Sequence, residues 1–328
     1  MASVAPPSPL LALPGMGDEL ARVERALRQS VVSEDPHLTE LASHLIEAGG
    51  KRLRPALAVV VAGCLTGIPV TDEVVLGGVS VELVQVGSLY HDDVMDEATT
   101  RRGVESVNAR FGNLKAILSG DYLLAKASEI AASLGTEVAG LLANTITRLC
   151  EGQVRELRDA YNLSRTDEAY ITSINGKTAA LLATSCRVGA IVADLPRSIV
   201  TTLTEFGHHY GMAFQVVDDI LDVVATDEQL GKPAGNDLVE GVYTLPVLRA
   251  LTAAEPLRSR LGRPIDGDEL EVALSLVRSD GAVSRSLDTA REHADDALRA
   301  LGTLRETDAT RWLAEAAGAL VDGVIVTR

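Results

Sequence analysis

The stretch EVVLGGVSVELVQVGSLYHDDVMD, Glu73–Asp96, decides the fold. It outruns the average globular helix of about 11–12 residues and is dense in Val, Leu and Gly, which predicts a central helix packed on most sides. On such a helix Gln85, Ser88, Asp92 and Asp96 succeed one another at steps of three, four and four and share a face, with Asp93 flanking the stripe. Leu83, Val84, Val86, Leu89 and Val94 surround them, so the acids interrupt an apolar surface. Several like charges buried together are costly unless a cation compensates them.

The same arrangement returns downstream. Gln215, Asp218, Asp219 and Asp222 are spaced i, i+3, i+4 and i+7 among Phe214, Val216, Val217, Ile220 and Leu221. Two such faces can oppose each other across a cavity. Hard oxygen ligands on rigid helices, with no His or Cys set at metal-ligand spacing, point to Mg2+, several ions to a site, rather than to zinc. Asp295-Asp296 is the contrasting case: no third acid follows at Arg299 and the flanks are mixed, so it reads as a solvated pair.

Cations gather at two places, Gly50-Lys51-Arg52-Leu53-Arg54-Pro55 at the start of a helix and Arg101-Arg102-Gly103 just after the first acid cluster. Arg offers phosphate oxygens a planar fork and Lys a movable point charge, so the mixture suits a flexible diphosphate. Gly176-Lys177-Thr178 resembles the end of a P-loop, but the earlier glycine is missing at Ile171 and no strand precedes it. Within an apolar helix Lys177 and Thr178 can still reach a phosphate in a central cavity. Gly231-Lys232-Pro233 places one more cation on a loop that could close as a lid. His91 adjoins Asp92, yet neighbours on a helix point in different directions, so its reading is packing or support rather than a general base.

The 328 residues are 46% hydrophobic and 23% charged, a composition that folds, and a formal net charge of −16 opposes nucleic-acid binding. From Gly17 onward the pattern is helical, with candidates Asp18–Val31, Leu38–Ala48, Leu53–Leu65, Glu73–Met95, Asn113–Leu134, Glu137–Asp159, Asp167–Val192 and Ser198–Val224. Glycines and prolines mark loops at Thr226–Leu245 and Glu255–Gly267. The expected organisation is a flexible tail over 1–17 and one all-α domain over 18–328. Cys64, Cys150 and Cys186 sit singly in apolar surroundings and read as buried thiols of a reduced cytoplasm. No stretch approaches the roughly 20 uninterrupted apolar residues of a membrane span, and no basic charge precedes the apolar N-terminal run as in a secretory signal.

GGKRLRP, HDDVMDEATTRRG, GKT, FQVVDDILD and GKPAGNDL, in that order, identify the chain as resembling the trans-polyprenyl diphosphate synthases across nearly all of its length after the tail. The resemblance implies an all-α isoprenoid-synthase-type bundle around a deep central cavity, a homodimer, and condensation of isopentenyl diphosphate with an allylic diphosphate. It assigns Lys51, Arg54, Gln85 and Arg102 to isopentenyl diphosphate, and Arg101, Lys177, Thr178, Gln215 and Lys232 to the allylic diphosphate. Asp92, Asp96 and Asp218 become the principal metal ligands, assisted by Asp93 and Asp222, with Asp219 completing the second cluster. Gln85 stands where many relatives have His, and Val242 where some shorter-chain relatives have Lys.

A hydrocarbon growing down the helix from Asp92 first meets Gly87 and Ser88, both small, one turn of about 5.4 Å below. Their size permits a longer product, and the resemblance favours a long-chain one such as heptaprenyl to decaprenyl diphosphate, with geranylgeranyl diphosphate as the alternative and transient membrane contact during release left open. A class I terpene cyclase would steer cations with aromatic faces, and only 3% of this chain is aromatic. A regulatory synthase subunit would have eroded motifs, and these are intact.

Overall fold

The computed structural model describes residues 8–64, 70–226, 234–252, 255–279 and 281–325. The chain is all-α, as expected: among the described residues the only strands are Thr100–Arg101 (β1) and Val104–Glu105 (β2), paired antiparallel as a hairpin. Arg102 and Gly103 form its turn with φ of 55° and 77°, the left-handed backbone a two-residue hairpin favours.

The predicted helices fall within a few residues of their expected ends. They are α1 (Met16–Ser30), α2 (Pro36–Glu47), α3 (Leu53–Ala62), α4 (Asp72–Met95), α5 (Val107–Phe111), α6 (Asn113–Ser133) and α7 (Thr136–Arg158). Then come α8 (Asp167–Ile174), a π-helical turn (Asn175–Ala179), α9 (Ala180–Val192) and α10 (Arg197–Val224). The expected Asp167–Val192 helix is thus continuous in direction but wound wider where Lys177 and Thr178 sit. The remainder is α11 (Asn236–Val239), α12 (Leu245–Leu251), α13 (Glu255–Arg258), α14 (Gly267–Ser279), α15 (Ala282–Leu301) and α16 (Asp308–Ile325). Helices α11 and α13 interrupt the two segments expected to be loops.

Thr71 starts α4 by accepting a hydrogen bond from the Val74 N–H on its side chain, with Asp72 and Glu73 in the first turn. At the far end Asp96 closes the helix and Glu97 takes φ of 51°, turning the chain into the hairpin. Helix α4 is apolar enough in length and composition to cross a membrane, but most of it is buried inside this bundle, against α3, α6 and α9. Helix α10 packs on α9, α15 and α16, and α9 lies between the two long helices. From Ala56 to Ala62 every residue of α3 is buried, which suits a helix apolar on all sides.

The N-terminal expectation needs correcting. Residues 1–7 lie outside the described residues, but Pro9–Ala12 form a 3-10 turn and Leu10 and Met16 are buried against the cluster built on α3, the start of α10 and α16. The apolar character that looked like a tail is the anchor of α1. Cys64 and Cys186 are buried as expected, whereas Cys150 is exposed on α7, because the amphipathic pattern turns that position outward.

Backbones of α3 and α9 touch at Gly189, where an added Cβ would lie 2.7 Å from Ala58 Cα. Neither backbone can yield without parting two buried helices. Gly189→Ala should therefore destabilise the protein by roughly 3 kcal/mol, read as a lowered midpoint in denaturant, and an unchanged midpoint would show that the contact is slack.

Candidate active site

One cavity of about 570 Å³ opens between the C-terminal ends of α4 and α10, the π turn and the segment around α11. Asp92 and Asp96 enter it from α4, Asp218 and Asp219 from α10, Lys177 and Thr178 from the π turn, and Arg101 from β1. Gln215, Tyr170, Glu156, Asp237 and Val242 complete the parts of the wall that matter here. The two acid-bearing helices thus face each other as their spacing predicted.

The carboxylates are not equivalent. Burial pushes Asp92 up to about 6, with Asp96 adding repulsion and Lys177 and Arg101 opposing the rise. Asp96 is raised for the same first reason, against the same two cations. Asp219 is buried and lifted to about 7, although its two oxygens accept hydrogen bonds from Tyr170 Oη at 2.5 Å and Gln215 Nε2 at 2.7 Å. Gln215 in turn accepts from Thr178 Oγ1 at 2.6 Å. A chain of bonds therefore runs Thr178, Gln215, Asp219, Tyr170, and Asp219 acts as its fixed centre.

Asp93 and Asp222, which the resemblance makes assisting ligands, lie off the cavity wall. Asp93 is fully buried off the cavity wall and pairs with Arg101, whose Nε and Nη2 both reach its Oδ1 at 2.6 Å. It orients the arginine, because a helix puts adjacent residues on different faces. Asp222 lies beneath the wall, accepting the Asp237 N–H at 3.3 Å on its carboxylate and the Gly235 N–H at 2.9 Å on its backbone oxygen. Its place is to hold the start of α11, and with it Asp237, at the cavity rim.

Lys177 pairs with Glu156, and although burial disfavours its charge, Glu156, Asp92 and Asp96 together raise it to about 12. The pairing depends on a backbone approach: a Cβ at Gly152 would lie 2.6 Å from Lys177 N, and one at Gly176 would lie 2.7 Å from Arg148 O. Two glycines let α7 and the π turn close on each other. Glu156 escaped the sequence reading because an acid on an amphipathic helix looks like a solvated face. Tyr170 gave no signal either, whereas Asp237 lies within the quoted GKPAGNDL.

The other cations form a second group beside the first. Lys51, Arg54, Gln85 and Arg102 are not among the cavity's lining residues. Arg102 donates to Leu45 O at 2.9 Å and Gly49 O at 2.5 Å, and lies 3.6 Å from Glu82 on α4. Arg52, in left-handed backbone at φ of 49°, is spent on Glu24 and on Glu82 at 2.9 Å. That turn leaves Lys51 exposed and Arg54 partly so. Burial lowers Arg54 to about 10, Glu82 opposes this and Arg102 adds to it, and Arg54 Nε has no hydrogen-bond partner among the described residues. Four cations against Glu24 and Glu82 leave a local positive surplus in an acidic protein, one turn of α4 from Gln85. Lys232 lies outside the described residues.

The expected floor also changes. A Cβ at Gly87 would meet Gly120 O at 3.1 Å and Leu124 on α6, so Gly87 serves helix packing. Ser88, four residues before Asp92 on the same stripe, is partly exposed and is not among the cavity's lining residues. His91 packs over Gly120, with Nε2 3.2 Å from Ile117 O, as its packing reading required.

In protein stripped of divalent cations, Asp92 and Asp219 ionise only near 6 and 7, against 3.8 in the unfolded chain. Their raised values favour the folded state fully below 3.8 and lose that contribution as pH climbs through 6 and 7. The melting temperature with chelator should fall between about pH 4 and 7, less so in Asp219→Asn, and a divalent cation should flatten the fall. A melting temperature that rises over that range contradicts the assignment.

Known proteins place this geometry in a family. Residues 35–274 match the model described as polyprenyl synthetase. The chain is 39% identical to heptaprenyl diphosphate synthase component 2 of Geobacillus stearothermophilus, over 92% of this chain and 95% of that one. It is 38% identical to nonaprenyl diphosphate synthase of Mycobacterium tuberculosis, over 92% and 90%. The crystal structure of polyprenyl synthase from Caulobacter crescentus, complexed with calcium and isoprenyl diphosphate, superposes with a TM-score of 0.90 at 31% identity, over 98% of this chain and 99% of that one. With the match spanning most of the chain and the cavity carrying both aspartate clusters, the chain belongs to the polyprenyl synthetase family.

Proposed function

We propose that this prenyltransferase condenses isopentenyl diphosphate head-to-tail with an allylic diphosphate, using magnesium held by Asp92, Asp96 and Asp218, and that its product is a long-chain polyprenyl diphosphate. The convergence of those carboxylates with Lys177 and Arg101 on one cavity is the observation that carries the reading. All the candidate ligands there are hard oxygens, and the raised value of Asp92 marks a site that favours added positive charge. The Caulobacter crescentus protein, crystallised in complex with calcium and isoprenyl diphosphate, supports a divalent ion working with a diphosphate.

When bound, magnesium supplies Lewis-acid stabilisation of the negative charge that grows on the departing diphosphate. The protein contributes the rest. Lys177, kept charged by Glu156, and Arg101, steered by Asp93, add donors to the same phosphate oxygens. Thr178, Gln215, Asp219 and Tyr170 fix the second wall so that it need not reorganise during reaction. Lys51, Arg54 and Arg102 hold the second diphosphate beside Glu82. The allylic C–O bond breaks, the double bond of isopentenyl diphosphate attacks the resulting cation, and the proton lost from C2 passes to the released pyrophosphate. The Leu89, Ile174 and Val242 side chains line the route with apolar surface that excludes water.

The names of the two relatives above, for heptaprenyl and nonaprenyl products, favour a long product over geranylgeranyl diphosphate, and the small Ser88 one turn before Asp92 is in keeping with it. Leu114, Ile117 and Leu118 of α6 and Val154 and Leu157 of α7 are exposed, and a second copy of this chain would cover them. The Geobacillus relative's designation as component 2 favours a second reading, in which a different subunit completes the enzyme.

Purified chain alone, with labelled isopentenyl diphosphate, an allylic primer and magnesium, should give polyprenyl diphosphate, and Asp92→Asn or Asp218→Asn should each cut turnover by at least about 100-fold. Near-normal turnover in either variant would refute the mechanism; inactivity of the wild-type chain alone would favour the second reading. Ser88→Phe should shorten the product as seen by chromatography, and unchanged lengths would move the floor elsewhere.

A further inference from the structure

Away from the cavity, α10 and α15 bring three donor groups to one point. His209 Nδ1 lies 3.2 Å from His293 Nδ1 and 3.6 Å from Asp296 Oδ2, and the three candidate ligand atoms fall within 4.8 Å of one another. His293 and Asp296 stand one turn apart on α15 while His209 faces them from α10, and all three are partly exposed, which gives an ion a way in. Ring contact with His208, 5.1 Å away and edge-on, limits rotation of His209.

Tetrahedral zinc, with bonds of about 2.0–2.1 Å to nitrogen and oxygen, sets its ligand atoms about 3.4 Å apart. The two edges at His209 Nδ1, 3.2 and 3.6 Å, bracket that value, and the third, between His293 and Asp296, lies within 4.8 Å. A hydrogen bond between the two imidazoles accounts for the first edge and a charged His209 beside Asp296 for the second, whereas one bound ion accounts for both together. Two imidazoles and one carboxylate are also a donor set that suits zinc better than magnesium. Asp296 additionally pairs with Arg299, but that side chain is 76% exposed and free to swing into solvent.

We propose that His209, His293 and Asp296 form a zinc-type site, completed by water, that staples α10 to α15. Sequence spacing hid it because the ligands come from two helices 84 residues apart. Asp218 lies nine residues beyond His209 on α10, about 13 Å along the axis, so the staple is separate from the aspartate cavity yet grips the helix that carries its second wall.

The test is a zinc titration of the full chain with magnesium in excess, read as melting temperature. Saturating zinc should raise it by roughly 5 °C in the wild type and in Asp218→Asn, and not in His293→Asn or Asp296→Asn. Cobalt in place of zinc should give the strong visible bands of a four-coordinate ion, lost in both α15 variants even if either is less stable to begin with. Prenyl transfer with magnesium alone should be unchanged in those variants. No zinc shift in the wild type, a shift that survives in both α15 variants, or one lost only in Asp218→Asn would overturn the staple, the last by assigning the ion to the cavity.

Discussion

Four carboxylates of the two aspartate clusters, Asp92, Asp96, Asp218 and Asp219, face a single cavity of about 570 Å³ beside Glu156 and Asp237, with Lys177 and Arg101 set among them as opposing cations. Like charges at this density resist ionisation, and burial lifts Asp92 to about 6 and Asp219 to about 7. The fold tolerates the arrangement because the acids stand near the open ends of two long helices whose other residues are largely buried in the core. Much of the surrounding structure serves to hold that repulsive group still. Tyr170 and Gln215 grip Asp219, Asp93 steers Arg101, and Gly152 and Gly176 let Glu156 reach Lys177.

The cations divide their labour in a way that a count of charges conceals. Arg52 and Arg54 lie two positions apart, yet Arg52 is buried in ion pairs with Glu24 and Glu82 while Arg54 Nε lacks a partner among the described residues. The left-handed residue before α3 turns the Arg52 guanidinium inward and leaves Lys51 toward solvent. Arg102 is fastened to carbonyls of the 45–49 segment, which ties the hairpin to the α2–α3 connection. Two groups of cations thus lie along α4, Lys177 and Arg101 at Asp92 and Asp96, and Arg52 and Arg102 at Glu82.

Much of this was legible in the sequence. Apolar runs with helical spacing predicted most helices to within a few residues, and two D-D-x-x-D clusters in such runs predicted opposed acidic faces. What spacing could not reveal was which acid turns toward the cavity: Asp93 and Asp222 share the motif with Asp92 and Asp218 but serve as struts for Arg101 and α11. Glu156 and Tyr170 were invisible because their roles exist only through contacts across helices far apart in sequence. Gly87 looked like open space in the product path, and only the position of α6 shows that the space is taken. The N-terminal segment misled for a related reason, since Leu10 is apolar to fill a groove made by residues hundreds of positions away.

The central claim is that Asp92, Asp96 and Asp218, rather than all six motif acids, hold the ions that meet the diphosphate. Anomalous scattering from crystals grown with manganese and an unreactive allylic diphosphate analogue tests it directly. The account predicts peaks inside the cavity, within bonding distance of Asp92, Asp96 and Asp218 and of phosphate oxygens, with Asp93 still on Arg101 and Asp222 still beneath α11. Ions bound to Asp93 or Asp222, or a diphosphate seated with no ion between it and the aspartates, would contradict it.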